Sequence, residues 1–449
     1  MTTGRMIVIG GDAAGMSAAS KVRREQPQRE IVVFERSPHT SYSACGMPYF
    51  IAGLIDSAEK LVARSPEKFR EQFNIDVRIR HEVTELDPAA QRVRVRNLID
   101  GSDAWESYDQ LLIATGAEAI FPPLEGSKAQ GIFSLSTLES GIKICDFMDK
   151  ELPRKAVVVG GGYIGLEMAE ALVRQGLQVS LIEKGAQVMG TLDPDMGVLV
   201  SEALREIGVT LYLQESLTGY ETSAGTVTAV VTDQRTIPAD LVIVGLGTRP
   251  NTGLAKAAGI TLGEKGAIKV TPRQQTSISA IWAAGDCAES FHLVSKRPFH
   301  VALGTVANKQ GTVAGTNLSG GYATFPGVVG TAVSKICKFE VARTGLTERE
   351  IQLLGLQYRT AVTKTKTRAG YYPGAGWIMV KLLAEQGSGR LLGGQIVGLE
   401  GAAKRIDVLA TALTAGMTVQ QVVDLDLSYA PPFSPVWDPV QTTARQLVG

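Results

Sequence analysis

A fold of the α/β class, built around two Rossmann-like βαβ units, is what this sequence predicts, and three observations predict it. One grammar is written twice: an apolar β-branched run, a glycine-rich turn, an alanine-rich helix and a second apolar run closed by an acid. The second copy begins 150 residues after the first. Further apolar strands end in small-residue turns, as parallel strands do where they hand the chain to a loop. The chain has 449 residues, and at about 100–200 residues per domain it divides into about three.

The first copy runs Met6-Ile7-Val8-Ile9, then the turn Gly10 to Gly15, a helix through Ala18 and Ala19 toward Arg24, and Ile31-Val32-Val33-Phe34-Glu35. Its turn reads G-x-D-x-x-G, because Asp12 stands where the middle glycine is usual. Glycines here allow the tight turn and let the backbone approach a pyrophosphate, which the amides and dipole of the helix N-terminus then hold. Glu35 is placed to take the ribose hydroxyls of an adenosine. Leu111-Leu112-Ile113 then leads into Ala114-Thr115-Gly116-Ala117.

The second copy runs Ala156-Val157-Val158-Val159, then Gly160-Gly161-Gly162-Tyr163-Ile164-Gly165, a helix from Leu166 through Ala171, and Val179-Ser180-Leu181-Ile182-Glu183. It fits G-x-G-x-x-G in full. A carboxylate at Glu183 accepts from a free ribose 2′-hydroxyl and repels a 2′-phosphate, which favours NADH over NADPH, and Lys184 beside it works against that preference. Leu241-Val242-Ile243-Val244 opens the turn Gly245-Leu246-Gly247-Thr248-Arg249-Pro250-Asn251, which reads as a chain crossover between domains. Ile281-Trp282-Ala283-Ala284-Gly285-Asp286 is another strand and turn, and Asp286 at its carboxyl end could accept from a ribityl hydroxyl. Taken singly, each of these later turns reads equally as a structural turn.

Lys+Arg and Asp+Glu are both 45, with no long run of one sign, so neither nucleic acid nor an anionic membrane is indicated as a partner. Cysteines at 45, 145, 287 and 337 have no metal-ligand spacing and are too scattered for a disulfide framework. No metal is expected, and a reducing, cytoplasmic setting is the simplest reading. Met1-Thr2-Thr3-Gly4-Arg5 leads straight into a strand, and no apolar stretch is long enough to span a bilayer, so a soluble, unsecreted chain is expected.

One cysteine stands out. Cys45 lies in Ser41-Tyr42-Ser43-Ala44-Cys45-Gly46-Met47-Pro48-Tyr49, shortly after the first βαβ unit. Together and in this order, these segments resemble the two-dinucleotide flavoprotein disulfide reductases over essentially the whole chain. The resemblance implies a discontinuous FAD-binding domain at residues 1–112 and 249–322, an NAD(P)H-binding domain at 113–248, and an α+β dimerisation domain at 323–449. It assigns non-covalent FAD to Gly10, Asp12, Ala13, Ala14, Gly15, Glu35, Arg36, Thr115, Gly116, Gly285 and Asp286. It assigns the nicotinamide nucleotide to Gly160, Gly162, Tyr163, Ile164, Gly165, Glu167, Glu183 and Gly247, with Glu167 near the nicotinamide.

Glutathione-reductase-like members carry two cysteines four residues apart, whereas this chain has Phe50 and Thr40 at the flanking positions. What remains is similar to the single-cysteine branch: coenzyme A disulfide reductases, persulfide reductases, NADH peroxidases and NADH oxidases. A thiolate is the nucleophile, and its pKa falls near a helix N-terminus or a positive group. Without a resolving partner, Cys45 must pair with a small thiol or be oxidised to a sulfenic acid. Free cysteines are otherwise usually buried and inert, the reading given to Cys145, Cys287 and Cys337.

Peroxidases and oxidases of the branch carry a histidine in the first turn where this chain has Ala13. The segments around Tyr371 (Ala369-Gly370-Tyr371-Tyr372-Pro373-Gly374) and Tyr429 (Tyr429-Ala430-Pro431-Pro432-Phe433-Ser434-Pro435) are similar to those that coenzyme A disulfide reductases bring across the dimer interface. There these tyrosines lie near the other subunit's cysteine, ready to protonate the departing thiolate, although tyrosines are also common interface fillers. Substrate contacts are expected at Ser17, Lys21, Arg24, Ser41, Ala44 and Asn308. Lys21, Arg23 and Arg24 end the first helix as either a phosphate-binding group or a solvated basic face. Ala44 stands where well-known members have Asn, and Trp437 where they have a basic residue. The expectation is a homodimeric, NAD(P)H-dependent flavoprotein reductase of a small-thiol disulfide, coenzyme A disulfide or persulfide foremost. An NADH oxidase or peroxidase, a polysulfide reductase, and a flavin-binding redox sensor or protein electron donor are the alternatives. Some relatives carry a rhodanese-like extension, which residues 1–449 do not include.

Overall fold

The computed structural model describes residues 4–263 and 265–448. Met1, Thr2 and Thr3 of the N-terminal lead, and the terminal Gly449, lie outside the described residues, as does Glu264. Three sheets carry the architecture. The first is wholly parallel, in the order Ile281–Ala283, Gln110–Ile113, Met6–Ile9, Ile31–Glu35, Asp76–Ile79. Met6–Ile9 and Ile31–Phe34 are buried throughout, which is why they read as unbroken apolar runs rather than alternating ones. The helix Ala13–Glu25 packs against the helix Gly304–Leu318 through small residues. A β-carbon at Gly311 would stand 2.3 Å from the Ala14 carbonyl oxygen, so the two backbones approach as closely as glycine permits.

The second sheet repeats the plan in the order Thr210–Leu213, Gln178–Glu183, Lys155–Val159, Leu241–Val244, Ile132–Phe133, again parallel. Its glycine-turn helix spans Tyr163–Arg174, starting three residues earlier than the alanine pattern from Leu166 indicates. The difference is physical: a helix begins where the turn ends, at the Gly162 N-cap, rather than where its alanines start. Ala117–Ala119 and Thr248–Pro250 pair antiparallel, so the two passages of the chain between the sheets form one ribbon, as the turn after Leu241–Val244 indicates.

The C-terminal sheet is antiparallel, in the order Ala332–Ile336, Phe339–Gly345, Leu391–Gly398, Trp377–Glu385, Tyr358–Lys366, with the helices Ile406–Thr414 and Pro439–Ala444 against it. Among the described residues no helix is long and apolar enough to cross a membrane.

One charged cluster ties this third sheet to the second. Lys381, 3% exposed, meets Asp193 at 3.2 Å, Asp195 at 2.8 Å and Glu348 at 2.9 Å. Gln395 adds a bond to Asp193 at 2.6 Å. Removing one partner of a buried ionic group leaves the others uncompensated. Lys381→Met is therefore expected to cost about 3 kcal/mol of stability, read as a lower urea midpoint in the holoenzyme.

Candidate active site

The two glycine turns have one geometry. Gly10 (φ 107°) and Gly160 (φ 105°) occupy the left-handed region, and a β-carbon on either would strike the carbonyl oxygen of Ala114 at 2.1 Å or Gly245 at 2.4 Å. Gly15 and Gly165 each leave no room for a β-carbon, which would stand 1.9 Å from the oxygen of Gly10 or Gly160. Beyond the turns there is open space, with nothing within 4 Å of a β-carbon at Gly116, Gly162 or Gly247. The first amides of each helix have no intrahelical acceptor. Two such cradles fit two pyrophosphates, and therefore the dinucleotides the sequence implies.

The acids at the strand ends do more than face a ribose. Glu35 accepts from the amides of Gly11 and Ser37, both at 2.8 Å. Glu183 accepts from Gly161 at 2.7 Å and Gly185 at 2.6 Å. Each carboxylate pins its own turn and keeps lone pairs for hydroxyls. Arg36 and Lys184 are exposed beside them.

The cysteine loop is fastened to the first turn. The Thr40 hydroxyl and the Ser41 amide (3.0 Å) both donate to the Gly11 carbonyl, and the Tyr42 amide donates to Asp12 Oδ1 at 3.1 Å. Ser41 itself is left-handed at φ 50°. Cys45 occupies a single turn, Ala44–Gly46, before the short helix Met47–Ile51. Gly46 is small because Leu61 packs on it, 2.4 Å from where a β-carbon would be.

Cys45 is solvent-accessible in the chain. Partial burial and then the carboxylates of Glu167, Asp286 and Asp12 push its thiol up, and no cation is among the largest influences on it. This sequence-distant quartet is therefore assembled from four segments: the loop, the first turn, the second helix and the end of Ile281–Ala283. The ordinary activation of a thiol by a positive neighbour is not supplied by these residues.

Burial pushes Glu167 up, and its Oε1 accepts from Ser334 Oγ at 2.7 Å, a residue of the C-terminal sheet. Burial likewise pushes Asp286 up, while His300 and the Leu303 amide oppose it. Gly285 is held by its amide donating to Gln310 Oε1 at 2.8 Å. Thr115 donates to the Asn251 carbonyl at 2.7 Å. Tyr163, at the start of the second helix, is reached by the Thr191 hydroxyl at 3.5 Å, with Ile164 half-buried beside it.

Sequence reasoning missed Gln310, Ser334 and His300. Gln310 is fully buried on a helix that also buries Asn317, and that burial is not legible in the residue type. Among the expected substrate contacts, Ser17 Oγ donates to Asn308 Oδ1 at 2.7 Å, bringing two helices' candidates together. Lys21 is paired with Glu25 at 2.6 Å, and Arg24 is exposed. Arg23 needs correction: it is 8% exposed and donates to the carbonyls of Gln26, Pro27 and Asn74, so it closes the helix end instead of facing a substrate. Ala44 is half-buried.

Tyr371 and Tyr429 are 77% and 47% exposed, and Tyr429 is near enough to push the Tyr371 hydroxyl up. The Ala369 amide donates to the Pro431 carbonyl and ties the two segments together. Phe433 and Val436 are 75% and 70% exposed alongside them, an apolar surface of the kind that a partner covers. Within one chain these tyrosines are not among the main groups acting on Cys45. Trp437 has the guanidinium of Arg445 over its ring at 4.5 Å, so a cation stands near the position where the basic residue is missing in sequence. Cys287 is buried, and burial pushes the thiols of Cys145 and Cys337 up to about 11 and 12. Among the described residues no group of side chains could hold a metal ion.

Residues 4–311 match the pyridine nucleotide-disulphide oxidoreductase family, and residues 331–439 match the family's dimerisation domain. The NAD(P)H sulfur oxidoreductase (CoA-dependent) of Pyrococcus abyssi is 42% identical over 443 residues, covering 98% of each chain. A protein called NADH oxidase, from Methanocaldococcus jannaschii, is 37% identical over 445 residues, again with 98% of each chain covered. The structure of an NAD-dependent persulfide reductase from A. fulgidus superposes with a TM-score of 0.96 at 41% identity, covering 98% of this chain and 82% of that one.

Proposed function

Because this chain belongs to the pyridine nucleotide-disulphide oxidoreductase family, we propose that it is an FAD-dependent, NAD(P)H-oxidising reductase of a small-thiol disulfide or persulfide, coenzyme A disulfide or persulfide foremost, in a reducing cytoplasmic setting. The observation that carries the reading is the placement of one sulfur. Cys45 has no neighbouring cysteine, sits in a loop bolted to the first glycine turn, and lies within electrostatic reach of Glu167 on the helix of the second. A single thiol at the meeting of two nucleotide cradles suits electron delivery to a sulfur–sulfur bond.

FAD would be held by residues 1–112 with 249–322, at Gly10 to Gly15, Glu35, Thr115, Gly116, Gly285 and Asp286, and the nicotinamide nucleotide by residues 113–248. When bound, FAD supplies the passage of an electron pair from the nicotinamide to sulfur. The chain's own residues do the rest. The Cys45 thiolate attacks one sulfur of the disulfide, releasing a thiolate and forming a mixed disulfide. Two electrons and a proton then convert that mixed disulfide to the second free thiol and the Cys45 thiolate. Carboxylates at Glu167, Asp286 and Asp12 oppose thiolate formation, so turnover rises as pH climbs toward the raised thiol pKa. Tyr371 and Tyr429 of residues 323–449 would protonate the departing thiolate in the other subunit of a homodimer. Glu183 favours NADH over NADPH.

The deciding experiment is to release the thiol bound to Cys45 by reduction and identify it by mass spectrometry, together with NADH consumption on coenzyme A disulfide, coenzyme A persulfide and oxygen. Coenzyme A on Cys45 with turnover on either sulfur substrate supports the reading. An unmodified or sulfenylated cysteine with oxygen-driven NADH consumption overturns it in favour of an oxidase, the activity for which the Methanocaldococcus relative is named.

A further inference from the structure

The first glycine turn departs from its pattern at Asp12, and the backbone there is ordinary: φ is −115° and ψ −151°, extended values that need no glycine. An aspartate at a helix N-cap usually accepts from the amides of its own first turn. Asp12 holds that position, yet its side chain makes no capping bond. Its Oδ1 instead accepts from the Tyr42 amide, 30 residues away in sequence. This bond is one of three between the turn and the cysteine loop, and the only one of them whose acceptor is a side chain. The other two end on the Gly11 carbonyl, which any residue would provide.

We propose that Asp12 is a positioning residue for Cys45, its carboxylate fixing the cysteine loop to the first glycine turn through the Tyr42 amide. The placement is costly: Asp12 is half-buried with Glu35 and Asp286 nearby, and loss of solvent first, then those charges, push its carboxyl up to about 6. Glycine at this position would avoid that cost and leave the loop one anchor short. The charge also reaches Cys45, whose thiol it helps push up behind burial, Glu167 and Asp286.

The inference rests on Cys45 being the reacting sulfur, and the test separates the two. Holoenzymes carrying Asp12→Asn, which keeps the acceptor oxygen and removes the charge, are compared with Asp12→Gly and Asp12→Ala, which remove both. Turnover of coenzyme A disulfide is one readout. The pH profile of iodoacetamide alkylation, localised to Cys45 by mass spectrometry, is the other. All three variants are expected to shift the alkylation midpoint to lower pH. Asp12→Asn is expected to keep clearly more turnover than the Gly and Ala variants, which lose about tenfold or more in kcat with KM for NADH unchanged, the scale of a small misplacement of a reacting atom. Wild-type turnover in the Gly and Ala variants, or an equal fall in Asp12→Asn, overturns the proposal. Loss of FAD from both the Gly and Ala variants overturns it too, by placing the role in cofactor retention. Should the wild-type enzyme reduce no small disulfide, the functional reading fails separately. The positioning role is then decided by the limiting alkylation rate at high pH, which must change in the Gly and Ala variants and stay unchanged in Asp12→Asn.

Discussion

Replacing Cys45 with serine is expected to abolish NADH-driven reduction of coenzyme A disulfide while FAD stays on the protein. The loss follows from what sulfur does: disulfide exchange needs a thiolate as both nucleophile and leaving group, and a serine hydroxyl is neither near neutral pH. Removing a nucleophile costs on the order of a thousandfold or more in kcat. FAD retention follows from how the loop is held. The bonds that shape it run through backbone amides, Ser43 to the Leu61 carbonyl and Gly46 to the Ser43 carbonyl, and through the contacts of Thr40, Ser41 and Tyr42 with the turn. None uses the cysteine sulfur. The check is NADH absorbance under saturating disulfide, with the flavin spectrum recorded on the same sample. Retained turnover would remove Cys45 from the chemistry.

The parts of this site that the sequence displays are those whose requirements are local. A turn that must carry a left-handed residue and admit a close backbone, as at Gly10 and Gly160, announces itself within six residues. The parallel strands were legible because burial on both faces demands unbroken apolar runs. Groups whose meaning lies in a distant partner were not. Gln310 grips Gly285 from 25 residues away, Ser334 reaches Glu167 across 167, and Lys381 meets Asp195 across 186. Arg23 shows the same limit in reverse. Its place at a helix end looks basic and exposed, but it turns inward to the carbonyls of Gln26 and Pro27 and, 51 residues on, of Asn74. Asp12 belongs between these cases: its departure from the glycine pattern was visible, its partner amide was not.

Gly165→Ala is expected to separate the two halves of the enzyme. The added β-carbon would sit 1.9 Å from the Gly160 carbonyl oxygen and 3.4 Å from Val158 Cγ1. The first of these neighbours is backbone, so no rotamer change relieves the clash, and the helix Tyr163–Arg174 must back away from the strand Lys155–Val159. The amides that would grip the nicotinamide nucleotide's pyrophosphate move with it. A displacement of this kind is worth about a hundredfold in rate, appearing as slower flavin reduction by NADH and a raised KM. The first turn lies in a different sheet, joined to the second through the ribbon of Ala117–Ala119 and Thr248–Pro250. FAD content and chemical reduction of the flavin are therefore expected to match wild type. Stopped-flow reduction by NADH beside reduction by dithionite makes the comparison. Normal NADH kinetics would mean the nucleotide does not use this turn. Loss of FAD along with NADH reduction would mean that Glu167, on the displaced helix and paired with Ser334, transmits the disturbance to the cysteine loop and the first turn beneath it.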